Sequence, residues 1–228
     1  MQPQTQVVIQ NQQVLTQNRV LRNTYWLLAL TLIPTVIGAL LGINTNFSFL
    51  AQHPIAGPLI MLGVMMGCLF GVTKARNSVW AIPLILGFTF LMGWWLGPML
   101  QYALHFRNGG QLIGVAAGGT AAIFFTLAGI ATVTKKDFKF LGNFLFIGLI
   151  LVVIASLANL FLHVPALSLT ISGIAVLLFS GFILFDVNRI VRGGETNYVM
   201  ATLSLYLDVY NLFVNLLNLL LAFSGNRD

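Results

Sequence analysis

The sequence predicts an all-α integral membrane protein, built as a bundle of seven transmembrane helices. Of its 228 residues, 58% are hydrophobic and only 7% are charged, whereas a soluble domain carries about 25% charged residues. Its mean hydropathy of +0.91 is too high for a domain that faces water. Seven apolar runs are each long enough to cross a bilayer, which requires about 20 residues.

The predicted spans follow one another with short connections, so no soluble domain fits between them. In chain order they cover Thr24–Ile43, Pro54–Val72, Val79–Leu100, Gln111–Val133, Phe140–Leu162, Leu167–Val187 and Met200–Phe223. Small residues four positions apart let two membrane helices pack closely. This spacing predicts packing seams at Gly38 and Gly42, at Gly63, Gly67 and Gly71, at Gly93 and Gly97, and at Gly114 and Gly118.

Residues 1–23 precede the first span and are rich in Gln and Asn, so we expect a flexible polar tail before a transmembrane domain of residues 24–228. Most basic residues fall on the N-terminal side of the membrane: Arg19, Arg22, Lys74, Arg76, Lys135, Lys136, Lys139, Arg189 and Arg192. Only Arg107 and Arg227 fall opposite. The positive-inside rule therefore predicts a cytoplasmic N-terminus and a periplasmic C-terminus. Basic residues scattered in this way indicate topology, with membrane lipid and not nucleic acid as the partner.

The last predicted span carries polar side chains along one stripe. Spacings of four, three, four and three residues place them on one side of a helix, and they are Ser204, Asp208, Asn211, Asn215 and Asn218. We call this set the polar stripe. One interpretation is a seam of hydrogen bonds to neighbouring helices. The aspartate favours a second interpretation, an ion pathway or sensor, because a charged group at membrane depth is costly and usually functional.

A second aspartate, Asp186, lies near the end of the sixth predicted span. Because the connection to the seventh span is short, the two helices should be antiparallel neighbours, and the carboxyl groups of Asp186 and Asp208 can approach each other. Two like charges at close range cannot both stay ionised, so one acid would hold a proton and the pair would titrate as a unit. The alternative for Asp186 is a salt bridge with nearby Arg189.

These segments resemble the transmembrane Bax inhibitor motif family. The similar residues are FDVNRI at Phe185–Ile190 and SLYLDVYNLFVNLL at Ser204–Leu217, joined by a short basic loop. The bacterial branch, which includes modulators of the membrane AAA protease FtsH, is also similar at NRVLRNTY (Asn18–Tyr25), KKDFKFLG (Lys135–Gly142) and GGETNYVMATLSLYLDVYNLF (Gly193–Phe213). The resemblance implies seven helices with the last one surrounded by the other six.

The resemblance also implies a pH-sensing aspartate pair that governs a calcium leak, at Asp186 and Asp208 here. It further implies a basic residue at the end of the second helix that latches onto the sixth-helix aspartate, for which Lys74 and Arg76 are the candidates. We therefore expect a pH-sensitive calcium leak channel in a bacterial inner membrane, with no cofactor. Asp186 and Asp208 would bind Ca²⁺ transiently, because Ca²⁺ prefers oxygen ligands, and Ser204, Asn211, Asn215 and Asn218 would line the path.

Two other functions remain open. The first is regulation of FtsH through binding, with the N-terminal tail as the contact. The second, more distant, is an intramembrane aspartyl protease, because such enzymes also place two aspartates on adjacent helices. The second acid here lies in SLYLD and not in the GxGD sequence of those proteases, and no proline follows it. We therefore expect that the protein is not an enzyme.

Overall fold

The computed structural model describes residues 3–48, 52–53, 56–134 and 136–225. Its longer helices are α1 (Pro3–Ile43), α2 (Ala56–Ala75), α3 (Ala81–Trp95), α4 (Gly97–Leu104), α5 (Gly109–Val133), α6 (Lys139–Leu162), α7 (Pro165–Val191) and α8 (Tyr198–Gly225). Within the described residues, seven helical segments are long and apolar enough to cross a membrane, with α3 and α4 forming one segment together. The predicted fold class and the predicted number of spans are confirmed.

The first helix is longer than the sequence predicted. Residues 1–23 were expected to be a flexible tail, but α1 begins at Pro3 and continues without interruption into the first span. The physical reason is that a helix which has already nucleated is extended at little cost in free energy. Each added residue forms one more backbone hydrogen bond without a second nucleation step. Gln, Leu and Arg are also good helix formers, and no glycine or proline lies between Gln4 and Ile33.

The third span is broken near its middle. It was predicted as one helix over Val79–Leu100, but α3 ends at Trp95 and α4 begins at Gly97, with Pro98 in its first turn. Proline has no N–H to donate and restricts the residue before it, so a helix commonly ends there and a new one starts. The side-chain amide of Gln101 in α4 then donates to the carbonyls of Gly42, Ile43 and Thr45 at the end of α1.

The seventh span, α8, lies at the centre of the bundle. It packs extensively against α7, α5 and α1 and more lightly against α3, while α2 packs chiefly on α3, and α6 chiefly on α7. The side chains of Leu205, Leu212 and Leu217 on α8 are completely buried. The central position predicted for the last helix is therefore confirmed, with α2 and α6 at the periphery.

Glycine allows the closest approach in the bundle, between α1 and α3. A methyl group on Gly38 would lie 2.8 Å from the backbone nitrogen of Trp94 and would also clash with the carbonyl of Phe90. A methyl group on Gly93 would lie 2.8 Å from the Cα of Thr35. The predicted seams at Gly38 and Gly42 and at Gly93 and Gly97 are confirmed as backbone contacts.

The other two predicted glycine seams are wrong for this fold. Among the described residues, nothing lies within 4 Å of a methyl group placed on Gly63, Gly67, Gly71, Gly114 or Gly118. The sequence instead missed the seam between α6 and α7, where Gly142 faces Phe185 and Gly181 faces Leu145. Spacing alone did not distinguish these cases, because a helix face that meets lipid and one that meets another helix are both apolar.

Candidate functional site

The central helix α8 has two opposite polar faces. On one face Tyr206, which is 1% exposed, donates a hydrogen bond to the carbonyl of Thr89 on α3 at 3.3 Å. Its hydroxyl also lies 2.9 Å from Oγ1 of Thr35 on α1. One turn further, Tyr210 donates to the carbonyl of Met92 on α3 at 3.1 Å. These hydrogen bonds attach α8 to α1 and α3, and the polar stripe lies on the other side of the helix.

Asp186 on α7 and Asp208 on α8 meet within the bundle, close enough for a hydrogen bond between their side chains. An ionised carboxylate only accepts hydrogen bonds, so two carboxyl groups can bond to each other only when one of them carries a proton. Asp208 is 6% exposed, and its Oδ2 atom is buried without a hydrogen-bond partner in the described part of the chain. A buried oxygen of this kind is rare and calls for an explanation, such as an ion or a functional role.

Two other charged groups influence Asp186. Arg189, one turn along α7, and Glu195 in the following loop both interact with it electrostatically. The guanidinium of Arg189 forms its own ion pair with Glu195 at 3.5 Å and donates from Nε to the carbonyl of Gly194 at 3.3 Å. The alternative salt bridge between Arg189 and Asp186 is therefore not formed in the described part of the chain, although the charge of Arg189 still acts on Asp186 beside the contact with Asp208.

The predicted latch residues form no ion pair with the aspartate pair in the described part of the chain. The side chains of Lys74 and Arg76 are not fixed by an ion pair with any acid in the described ranges, and both residues are exposed. The physical reason is that α2 packs chiefly on α3 and not on α7. The end of α2 is attached instead to the loop before α8, where Asn197 donates to the carbonyl of Arg76 at 3.2 Å and to Oδ1 of Asn77 at 2.8 Å.

The remaining members of the polar stripe are half-buried. Asn211 donates to the carbonyl of Leu207 and Asn215 to the carbonyl of Asn211, both at 2.8 Å and both within α8. Within the described residues, the side-chain oxygens of these two amides accept no hydrogen bond. Only Asn218 reaches another helix, with its amide 2.8 Å from Oγ of Ser172 on α7. Most of the stripe is therefore not a hydrogen-bonded packing seam.

Asn188, which was not among the predicted site residues, lies two residues after Asp186 and is 2% exposed. Its Oδ1 accepts from the backbone N–H of Phe138 at 3.2 Å, and its amide donates to the carbonyl of Lys136 at 3.2 Å. These bonds attach the loop between α5 and α6 to α7. The sequence did carry a signal for this residue, because an asparagine inside an apolar span must find hydrogen-bond partners in the bundle, as an aspartate must.

A resident metal site is not apparent in the described part of the chain, where no three His, Cys, Asp or Glu side chains group together. The aspartate pair offers carboxylate oxygens, and Ca²⁺ takes six to eight oxygen ligands at about 2.4 Å. A Ca²⁺ ion at the pair would therefore need backbone carbonyls or water as further ligands. This donor set fits an ion in transit better than a permanently bound one.

Comparison with known proteins identifies the family to which this chain belongs. The family described as "Inhibitor of apoptosis-promoting Bax1" matches residues 17–225 of the chain. This chain belongs to the Bax inhibitor family. Among its relatives, an "Uncharacterized membrane protein" of Vibrio cholerae is 42% identical over 215 residues, with 94% of each chain covered.

Two relatives from Escherichia coli have more informative names. Strain K12 has a "Modulator of FtsH protease YccA", and strain CFT073 has an "Inner membrane protein YccA". Each is 42% identical to this Bax inhibitor family protein over 207 residues, which is 91% of either chain. The family and the seven spans together establish that the protein is a membrane protein.

Proposed function

We propose that this protein is a pH-sensitive cation leak channel of the bacterial inner membrane, with Ca²⁺ as the ion and Asp186 and Asp208 as the gate. The observation that supports this proposal is the contact between two carboxyl groups on adjacent spans, one of which has a buried oxygen without a partner. A buried polar atom without a partner destabilises a fold, so this oxygen favours a functional role for the pair.

The proton on the pair would control the force between α7 and α8. Two unit charges about 4 Å apart repel by about 4 kcal/mol at an effective dielectric constant of about 20. Removing the shared proton would create this repulsion, and adding a second proton would remove the charge that Arg189 and a passing cation attract. Either change is large enough to shift the populations of two helix arrangements, since 1.4 kcal/mol already corresponds to a factor of about ten.

The polar stripe supplies a route from the aspartate pair along α8. The side-chain oxygens of Asn211 and Asn215 are available as ligands, because both amides bond to their own helix. Neutral oxygens are suitable ligands for a hard cation, and the carboxyl pair gives the route its negative charge. With the N-terminus in the cytoplasm, as the basic residues favour, the aspartate pair lies in the cytoplasmic half and Asn218 in the periplasmic half.

The test is Ca²⁺ flux into liposomes that contain the purified protein, measured with a trapped indicator between pH 6 and pH 8. Asp208→Asn keeps the shape and a hydrogen-bond donor but removes the shared proton, so the pH dependence of the flux should shift or be lost. Asp186→Asn should have the same effect. Asp137→Asn is the matched control, because this exposed acid pairs with Lys139 outside the bundle. If both gate variants keep the pH profile of the wild type, the proposed gate is excluded.

A second function, regulation of a membrane AAA protease, is favoured by a different observation. The name of the Escherichia coli relative carries this function, and α1 here extends from Pro3 to the start of the first span at Thr16. At that point Gln17 packs against Gly193, a residue with φ of +74° in the turn after α7. The N-terminal extension would therefore offer the protease a helical binding segment, beside the turn that joins the two aspartate-bearing helices.

This second function has its own test. Deleting residues 2–15 removes the extension but leaves the contact of Gln17 with Gly193. Co-purification with FtsH and the turnover of an FtsH substrate should both change in the deletion variant, while Ca²⁺ flux should not. Gln17→Ala is the complementary variant, since it removes the contact and keeps the extension. Unchanged association and unchanged turnover in the deletion variant would exclude the N-terminal extension as the binding segment.

A further inference from the structure

The spans α7 and α8 are connected by polar side chains at two places. The first is the aspartate pair. The second is the hydrogen bond from the amide of Asn218 to Oγ of Ser172, at 2.8 Å. Ser172 is 3% exposed and Asn218 is half-buried, so this bond is partly buried between the two helices. The position of this hydrogen bond on the polar stripe favours a role in the proposed ion route along α8.

The two contacts bound the part of the polar stripe that runs from Asp208 to Asn218. Asp208 and Asn218 are separated by about 15 Å along α8, and Asp186 and Ser172 by about 21 Å along α7, at about 1.5 Å per residue. Between them Asn211 and Asn215 bond only to their own helix. The stretch between the contacts therefore has available oxygens, and each of its ends is closed by a bond from α8 to α7.

We propose that Asn218 and Ser172 form the second closure of the route, and that they become cation ligands when it opens. The proposal rests on the leak function proposed above and adds a neutral oxygen site to it. When the hydrogen bond between them breaks, Oδ1 of Asn218 and Oγ of Ser172 are both available to a hard cation such as Ca²⁺. Neither group titrates near neutral pH, so this closure limits the flux without setting its pH dependence.

The liposome flux experiment tests this role directly. Ser172→Ala and Asn218→Ala each remove the closing bond and leave the other residue as a ligand, so each should raise the Ca²⁺ flux several-fold at every pH, with the midpoint of the pH profile unchanged. Because both variants break the same bond, the double variant should raise the flux no further than the stronger single variant. Additive effects, or flux equal to that of the wild type, would overturn the proposal. Ser180→Ala is the control on the same helix, since Ser180 bonds to the carbonyl of Val176.

Thiol labelling tests the closure even if the protein conducts no ions. The chain has one cysteine, Cys68, so Cys68→Ser gives a background for a single reporter, Asn215→Cys. An impermeant thiol reagent added from the side of the α8 C-terminus should label this reporter at least tenfold faster when Asn218→Ala is also present. Equal labelling rates would overturn the closure, whereas absent flux in the wild type combined with faster labelling would exclude only the leak function.

Discussion

Replacing Gly38 by alanine should separate α1 from α3 and destabilise the protein. The added methyl group would lie 2.8 Å from the nitrogen of Trp94 and would clash with the carbonyl of Phe90, where ordinary contacts begin near 3.4 Å. Both neighbours are backbone atoms and cannot rotate away, so the helices must move apart by roughly 0.6 Å or more. A gap of this size loses about a quarter to a half of the dispersion energy at each contact.

The expected destabilisation is about 1–3 kcal/mol, as for other overpacked cores, which corresponds to a decrease of several degrees in the apparent melting temperature. Thermal unfolding in detergent, followed by the loss of monodisperse protein on size-exclusion chromatography, measures this decrease. Gly67→Ala is the matched control, because nothing in the described part of the chain lies within 4 Å of its added methyl group. If both variants have the same apparent melting temperature as the wild type, the close approach of α1 and α3 is refuted.

Two further substitutions probe single hydrogen bonds. Asn188→Ala should cost about 1–3 kcal/mol by leaving the N–H of Phe138 and the carbonyl of Lys136 unpaired, and trypsin should cleave after Lys136 faster than in an Asn44→Ala control. Unchanged cleavage would show that Asn188 does not hold this loop. Tyr206→Phe should cost about 1 kcal/mol, by losing the hydroxyl contacts with Thr35 and Thr89. Its melting temperature should fall below that of Tyr102→Phe, whose side chain is 61% exposed, and equal values would contradict the role of the hydroxyl.

The number of spans could be predicted because each one is encoded locally, by about 20 consecutive apolar residues. The contact of Asp186 with Asp208 could also be predicted, because only a short connection separates the two helices and forces them to be neighbours. Each of these predictions required only the sequence of one or two helices and no knowledge of how the rest of the bundle packs.

The glycine seams that were wrong depend on the position of a distant helix, and so does the latch, which stays a prediction. For Lys74 or Arg76 to act as a latch, α2 would have to approach α7, and in this structure it packs chiefly on α3. The glycines of α2 follow the same spacing as those of α1, but they face outward. In a soluble protein the polar side of a helix would identify the exposed face, and a lipid-facing helix lacks this signal.

The attachment of α8 to α1 and α3 has a consequence for the proposed gate. Tyr206 and Tyr210 bind α8 to these two helices through hydrogen bonds, so we expect the three helices to move together. A displacement that parts the carboxyl groups must then be carried by α7, together with α6, which rests on it. Spin labels on α7 should report a change in distance to α3, while a pair of labels on α1 and α8 should remain at a constant separation.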